Sequence, residues 1–210
     1  MTRLLKILTV FAGLALVAMP AQAYEKGDWI VRGGVGLVSP DDGFIDQTNN
    51  ASVDDGVSAV ISGTYMFDSN WGFEVLAAFP FSHDIGDPDV GDFAEVKHLP
   101  PTFSLVYQFA PDADFRPYVG AGLNYTLFFD EEVDQSILPD VGLSVEDTFG
   151  FAAHVGADLK VADNWMVNLE IRYIQIEPDL ELLVNGVPVV TIPEHEINPM
   201  VYSLNLVWVF

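Results

Sequence analysis

The chain has 210 residues, half of them hydrophobic, with 31 acidic against 8 basic side chains for a net charge of −23, and it has no cysteine. The missing cysteine excludes a disulfide-stapled fold, thiolate metal sites and thiol nucleophiles. The scarcity of cations excludes nucleic-acid binding, which needs clustered Lys and Arg. The apolar half excludes an acidic disordered chain, so charge and apolar surface must be segregated along the sequence.

The first segment, residues 1–23, places Arg3 and Lys6 before an apolar run from Ile7 to Met19, followed by Pro20 and the small-residue pattern Ala21-Gln22-Ala23. This is the pattern of a secretory signal peptide cleaved after Ala23, and its apolar run is too short to span a bilayer. Residues 24–210 then form the working domain. Loss of the signal removes two bases and no acid, for a balance of 6 − 31 = −25.

Eight segments of alternating polarity follow, each reading as a half-buried strand. They cover residues 28–38, 57–67, 71–82, 97–109, 117–128, 148–161, 165–176 and 197–210. In each, bulky apolar residues occupy every second position: Trp71, Phe73, Val75, Phe79 and Phe81 in the third, Trp165, Val167, Leu169, Ile171 and Tyr173 in the seventh. Short turns join the second strand to the third, the fourth to the fifth and the sixth to the seventh. Long acidic loops, roughly 39–56, 83–96, 129–147 and 177–196, make the other four connections. Short turns at one end and long loops at the other predict an all-β fold: an eight-stranded antiparallel up-and-down transmembrane barrel with periplasmic turns and four extracellular loops. Trp29, Trp71, Trp165 and Trp208 all fall at the turn-side rim on the lipid-facing parity, as an interfacial girdle requires. The loop stretch DLELLVNGVPVVTI carries an Asn-Gly hairpin signal and is expected to extend the seventh and eighth strands above the membrane.

The last strand, VYSLNLVWVF, keeps its apolar face to the final residue. Tyr202, Trp208 and Phe210 resemble the C-terminal sorting signal of bacterial outer-membrane barrels. That resemblance implies a Gram-negative cell outer membrane, with the outer-membrane assembly machinery, membrane lipids and lipopolysaccharide as partners.

The segments FPFSHDIG, HLPPTFSLVYQF, FRPYVGAGLNYTLFFD and NWMVNLEIRYIQIEPDLE resemble the OmpW family of small outer-membrane proteins, which includes alkane-uptake barrels. The most specific matches are His98-Leu99-Pro100-Pro101-Thr102 and Arg116-Pro117-Tyr118-Val119-Gly120-Ala121-Gly122, and the likeness spans the whole mature chain. It implies a narrow hydrophobic lumen linked to uptake of small apolar molecules. It also implies a short helix in the loop between the fifth and sixth strands, where EEVDQSILPDVGLSVED could supply a turn or two before Pro139.

The parity of the strands sorts the lumen by depth. Toward the loops, inward positions carry Val38, Leu76, Ala78, Pro80, Pro100, Thr102, Phe128, Ile174 and Ile176. Toward the turns they carry Arg32, Glu74, His154, Asp158, Lys160, Asn168, Glu170, Arg172, Ser203 and Asn205. Small barrels fill themselves with side chains, which accounts for a self-neutralising charged floor of Arg32, Glu74, Asp158, Lys160, Glu170 and Arg172. An apolar outer cup of Leu76, Pro80, Pro100, Thr102, Phe128, Ile174 and Ile176 is instead the form of a ligand site. The favoured function is therefore a channel for small hydrophobic molecules. Pro80 and Pro100-Pro101 lack ladder donors and suggest a lateral exit between the third and fourth strands. The alternative is a structural or adhesive surface barrel with an inert lumen. A lipid-modifying enzyme would have to rely on Ser82-His83 with Glu194 or His195, an assembly that nothing in the sequence holds together, so no enzymatic activity and no cofactor are expected. His83, His98, His154 and His195 lack metal-ligand spacing. Asp87, Asp89, Asp92 and Glu95 do not follow a calcium-loop order, so no metal site is expected.

Overall fold

A computed structural model describes residues 23–40, 52–53, 55–78, 81–87, 91–162, 165–192 and 196–210. The signal peptide before Ala23, Pro80, Asp89, Glu194 and His195 lie outside the described residues. No helix of the described chain is long and apolar enough to cross a membrane. The strands, in chain order, are β1 (Trp29–Ser39), β2 (Ser52–Val53), β3 (Gly56–Met66), β4 (Trp71–Ala78), β5 (Phe81–Asp87), β6 (Gly91–Leu99), β7 (Thr102–Gln108), β8 (Phe115–Val133), β9 (Val141–Val145), β10 (Thr148–Ala162), β11 (Trp165–Ile174), β12 (Leu180–Val184), β13 (Val187–Ile192) and β14 (Met200–Val209).

Eight of these close into a barrel in the order β1-β3-β4-β7-β8-β10-β11-β14, with β14 returning to β1. Every pairing is antiparallel. The closing ladder runs from Ile30↔Val209 to Ser39↔Met200. It is extended by a reciprocal pair of backbone hydrogen bonds between Trp29 and Phe210, at 3.0 and 2.9 Å. The C-terminal aromatic is thus held on the last rung of the seam, its side chain turned outward.

The faces follow the alternation in the sequence. Leu169, Leu105, Phe151, Val155, Ile171 and Leu204 are exposed on the outer wall, while the residues between them face inward and are mostly buried. Such a contiguous apolar exterior has no aqueous explanation and suits a lipid environment. At the turn-side rim Trp29 packs on Tyr65, and Trp71 on Tyr107, with ring centroids 5.3 and 4.9 Å apart. These pairs form the interfacial girdle that the tryptophan positions predict.

Above the membrane the structure departs from four simple loops. β8 has 19 residues; at about 3.3 Å per residue it is roughly 60 Å long, whereas a tilted strand needs only about 9–11 residues to span a bilayer. Its excess pairs with β6, from Leu99↔Leu127 to Ala94↔Val133, and β6 pairs with β5. The segment 83–96, expected as loop, is therefore mostly a hairpin that raises one side of the wall. The Asn-Gly signal is correct as a turn: Asn185 and Gly186 take φ of 52° and 75° and join β12 to β13. Its partner differs from expectation, because β12 pairs with β9 in a separate three-stranded sheet instead of prolonging the seventh and eighth strands. The expected short helix before Pro139 is a single hydrogen-bonded turn from Asp134 to Leu138. The Ser136 hydroxyl and N–H both donate to the Asp134 carboxylate, and this holds its pKa below the usual range.

The fourth strand of the sequence reading is broken at Pro100-Pro101, between β6 and β7, and the third is described as β4 and β5 on either side of residues 79–80. The β4–β7 ladder runs from Trp71↔Tyr107 to Leu76↔Thr102, and pairing resumes in β5–β6 at Phe81↔His98. Ala77 and Ala78 are held by Ile61 and Val60 of β3 on their other side, and the Pro101 carbonyl accepts the Tyr125 N–H. No ladder pair joins residues 77–78 to 99–101 among the described residues. Proline cannot donate to such a ladder, and Pro100-Pro101 sits at the break.

Replacing Leu169 or Leu105 by Arg, each exposed to lipid near mid-strand, should destabilise the barrel by about 2–4 kcal/mol in reversible unfolding from lipid vesicles. A cost near zero at both sites would mean that the outward face is wrongly assigned, since a one-residue slip exchanges the faces.

Candidate functional site: a layered lumen

On the loop side, Val38, Val60, Leu76, Ala152, Ile174, Ile176 and Val201 form one buried apolar cluster, with Phe128 and Ile197 packed against it. They come from most of the barrel strands and from the segment after β11, because each strand delivers its inward parity at the same height. Of the predicted cup residues, Val38, Leu76, Phe128, Ile174 and Ile176 are in this cluster. Pro100 and Thr102 are buried beside the ladder break, where the Thr102 hydroxyl donates to the Pro100 carbonyl at 3.2 Å. The side chain of Ala78 is not among those described. Val60, Ala152 and Val201 were missed in the sequence reading. Each lies on the inward parity at cup height, so that rule, applied to every strand, would have found them.

Beneath the cup a belt of ion pairs crosses the lumen. Arg32 grips Asp158 with two hydrogen bonds, Nε to Oδ1 at 2.9 Å and Nη2 to Oδ2 at 2.6 Å. Its Nη1 donates to Thr64 and lies 3.6 Å from Glu74. Arg172 holds two carboxylates, with Nη2 at 2.6 Å from Glu74 Oε1 and 2.9 Å from Glu170 Oε1. The Tyr118 hydroxyl donates to Glu170 at 2.8 Å, and Asn168 Nδ2 donates to both Tyr118 and Asp158 at 2.8 Å. The Arg32 guanidinium sits 4.7 Å over the Tyr118 ring. Arg32, Glu74, Asp158 and Arg172 are at most 1% exposed. Charges at that depth persist only when paired, and the bidentate Arg32–Asp158 contact and the grip of Arg172 on two carboxylates supply that pairing.

Two features depart from the sequence reading. Lys160 is half-buried at the turn-side end of β10 and makes no ion pair with the belt among the described residues, so it does not belong to the charged floor. The reason is depth: it lies two positions beyond Asp158, at the rim. Below the belt there is also a second apolar layer, made of Tyr24, Ile30, Met66, Met166 and Val207 with Val209 against it. The lumen has three layers instead of two. Tyr24 stitches the lowest to the belt: its hydroxyl donates to Asp158 Oδ2 at 2.7 Å, its N–H to the Pro111 carbonyl at 2.9 Å, and Arg116 covers its ring at 4.2 Å. Tyr24 precedes the first strand, and nothing in the alternation marks a residue outside the strands as luminal.

The structure brings His154 together with Glu74 and Glu170, their ligand atoms all within 4.8 Å of one another. No sequence spacing announces that cluster, because its members come from β10, β4 and β11. Arg172 Nη2, in contact with both carboxylates, holds the position between them that a cation would take. The arrangement as folded is an ion-pair clamp. Elsewhere, Glu95 lies 3.8 Å from Lys97 in the raised hairpin.

A closed antiparallel cylinder of eight strands, apolar outside, girdled by aromatics and polar within, defines a transmembrane β-barrel of the outer-membrane type. Residues 25–210 match the family model described as the OmpW family. The chain is 39% identical over 202 residues to outer membrane protein W of Vibrio cholerae, covering 90% of this chain and 92% of that protein. It is 26% identical to outer membrane protein AlkL of Ectopseudomonas oleovorans over 89% and 84% of the two chains. The crystal structure of the outer membrane protein OprG from Pseudomonas aeruginosa superposes with a TM-score of 0.76 at 29% identity, covering 91% of this chain and 99% of that one. The chain belongs to the OmpW family, and it is a protein of the Gram-negative outer membrane.

Substituting Asp158→Asn removes the charge that Arg32 grips and weakens the acceptor for Tyr24. Leaving a buried guanidinium unpaired should cost about 3–5 kcal/mol, read as a lowered midpoint of urea unfolding. A loss under about 1 kcal/mol, the typical ceiling for exposed pairs, would show that the belt is solvated.

Proposed function

We propose that this barrel carries small hydrophobic molecules across the outer membrane, receiving them in the apolar cup and releasing them sideways into the lipid. The observation that carries the reading is the stacking of an apolar cup directly on a belt of buried ion pairs, beside a break in the strand ladder. An apolar molecule gains by entering the cup, at roughly 25 cal/mol per Å² of surface removed from water. It gains nothing by passing between guanidinium and carboxylate groups whose partners it would have to displace. The axial route is unfavourable to it, and the break between β4/β5 and β6/β7 is the place where backbone pairing does not resist parting.

Leu76, Pro100 and Thr102 flank that route, and Pro80 belongs to the same proposal from its place in the sequence. In hydrocarbon, unpaired backbone groups must be lined by protein or lie near the aqueous boundary. The break sits at the loop end of β4 and β7, which fits that requirement. The barrel acts in this reading as a conduit and not as an enzyme, with lipopolysaccharide around its raised wall. The alternative, a surface barrel with an inert lumen, draws support from the exposed valines of the β12–β13 hairpin, Val187 and Val189.

Vesicles bearing the purified barrel should take up an alkane and exclude an ionic solute of similar size. They should also lack large, steady ionic conductance. A disulfide engineered between positions 79 and 101 should abolish alkane uptake, and reduction should restore it. Undiminished uptake with the disulfide fully formed would refute the lateral route. Absence of alkane uptake by the unmodified barrel would favour the inert-lumen alternative.

A further inference from the structure

The boundary between cup and belt holds buried polar atoms without a hydrogen-bond partner, one of which, His154 Nε2, lies 3.6 Å from Glu74 Oε1. Ser104 Oγ, Asn124 Oδ1, both ring nitrogens of His154 and Arg172 Nη1 have no hydrogen-bond partner among the described residues. These atoms belong to residues at most 5% exposed. Register sets their rows: Asn124 pairs with Thr102 and Gly150, beside the ladder break, and the rows of Ser104 and of His154 with Arg172 follow below it. Ser104 pairs with Glu74 on one side and Gly122 on the other; Gly122 pairs with Ala152, and Ala152 with Ile174. His154 pairs with Arg172, each two residues along its strand from a cup residue, Ala152 and Ile174. The His154 ring lies over Gly120, where a Cβ would collide with it.

A buried polar atom without a partner is costly, so several of them bordering the apolar compartment define a place for a polar group. The unused atoms include both kinds: Arg172 Nη1 donates only, Asn124 Oδ1 accepts only, and a neutral imidazole offers one of each. The adjacent charges narrow the choice further. Arg172 engages Glu74 and Glu170, and Glu74 also lies 3.6 Å from Arg32 Nη1, so a carboxylate head would meet two like charges whose cations are already engaged. All four of their oxygens also have partners, Arg172 on each, Thr64 on Glu74 and Tyr118 on Glu170. An ammonium head would have to compete with Arg172 for carboxylates that it already engages, and would face its cation.

Resting on the uptake reading above, we infer that the cup's preferred ligand is an uncharged amphiphile, an aliphatic chain ending in a hydroxyl. The chain would lie against Ala152 and Ile174. The hydroxyl, which donates one hydrogen bond and accepts two, would take its partners from among Ser104, Asn124, His154 and Arg172.

The test uses the full barrel in lipid nanodiscs, with methyl NMR shifts of Ile174 and Val201 reporting cup occupancy. Decane, 1-decanol, decanoate and decylammonium are titrated at matched membrane mole fraction. 1-Decanol should occupy the cup about tenfold more tightly than decane and more tightly than either ion. Ser104→Ala, a change that removes only the hydroxyl, should reduce the decanol-to-decane ratio at least threefold, and Asn124→Leu should do the same. Equal binding of decane and decanol, tighter binding of either ion, or a ratio unmoved by both substitutions would overturn the inference while leaving hydrophobic uptake intact. If no probe shifts the cup methyls, the uptake reading fails with it.

Discussion

A strand inside hydrocarbon has no water to satisfy its N–H and C=O groups, and the architecture of this protein follows from that constraint. An open sheet would leave two unpaired edges, so β14 must return to β1, and it does so down to the reciprocal Trp29–Phe210 hydrogen bonds. Closure at eight strands fixes a narrow cylinder, and a narrow cylinder must be filled by its own inward side chains. The three layers of the lumen are the form that filling takes here. Among the described residues the ladder lapses at Pro100-Pro101, an exception to the rule on which everything else depends.

The filling separates by chemistry as well as by height. Apolar side chains gather at both ends of the lumen and the ion pairs lie between them, away from bulk water on either side. Buried charge is tolerated because each guanidinium spans carboxylates from other strands: Arg32 of β1 reaches Asp158 of β10, and Arg172 of β11 reaches Glu74 of β4. Such cross-lumen pairs tie distant walls together and favour a single register, since a slipped strand would strand a charge without its partner. Exposed acids lie in the connections at both ends of the barrel, among them Asp68, Asp112 and Asp114 at the turns and Glu132, Asp134 and Glu146 on the loop side. That segregation reconciles a net charge of −23 with a chain that is half hydrophobic.

Much of the fold was legible before any coordinates. A period-two alternation states which face is greasy, and lipid on one side makes that face bulky and unmistakable, so Leu169, Leu105 and the tryptophans were correctly turned outward. Inward residues were legible by parity, which is why Arg32, Glu74, Asp158, Glu170 and Arg172 were placed in the floor together with the apolar residues above them. Parity has no depth scale of its own, however. Lys160 shares the parity of Asp158 yet sits at the rim. The loops were the least legible: the segment 83–96 reads as acidic and irregular, but in the fold it pairs across to β8, whose own length the alternation understated.

The sequence by itself determined the number of barrel strands, their up-and-down order, the lipid-facing side and the compartment, because each is written in local periodicity and in the chemistry of single residues. Only the tertiary structure decided which charge meets which, that Tyr24 turns into the lumen from outside the strands, that β12 pairs with β9, and that Ser104, Asn124, His154 and Arg172 are buried with polar atoms left without a partner. Those facts depend on the stagger of strands around a closed cylinder. Stagger sets the height at which residues far apart in sequence come level, and alternation along one strand carries no information about the height of the next.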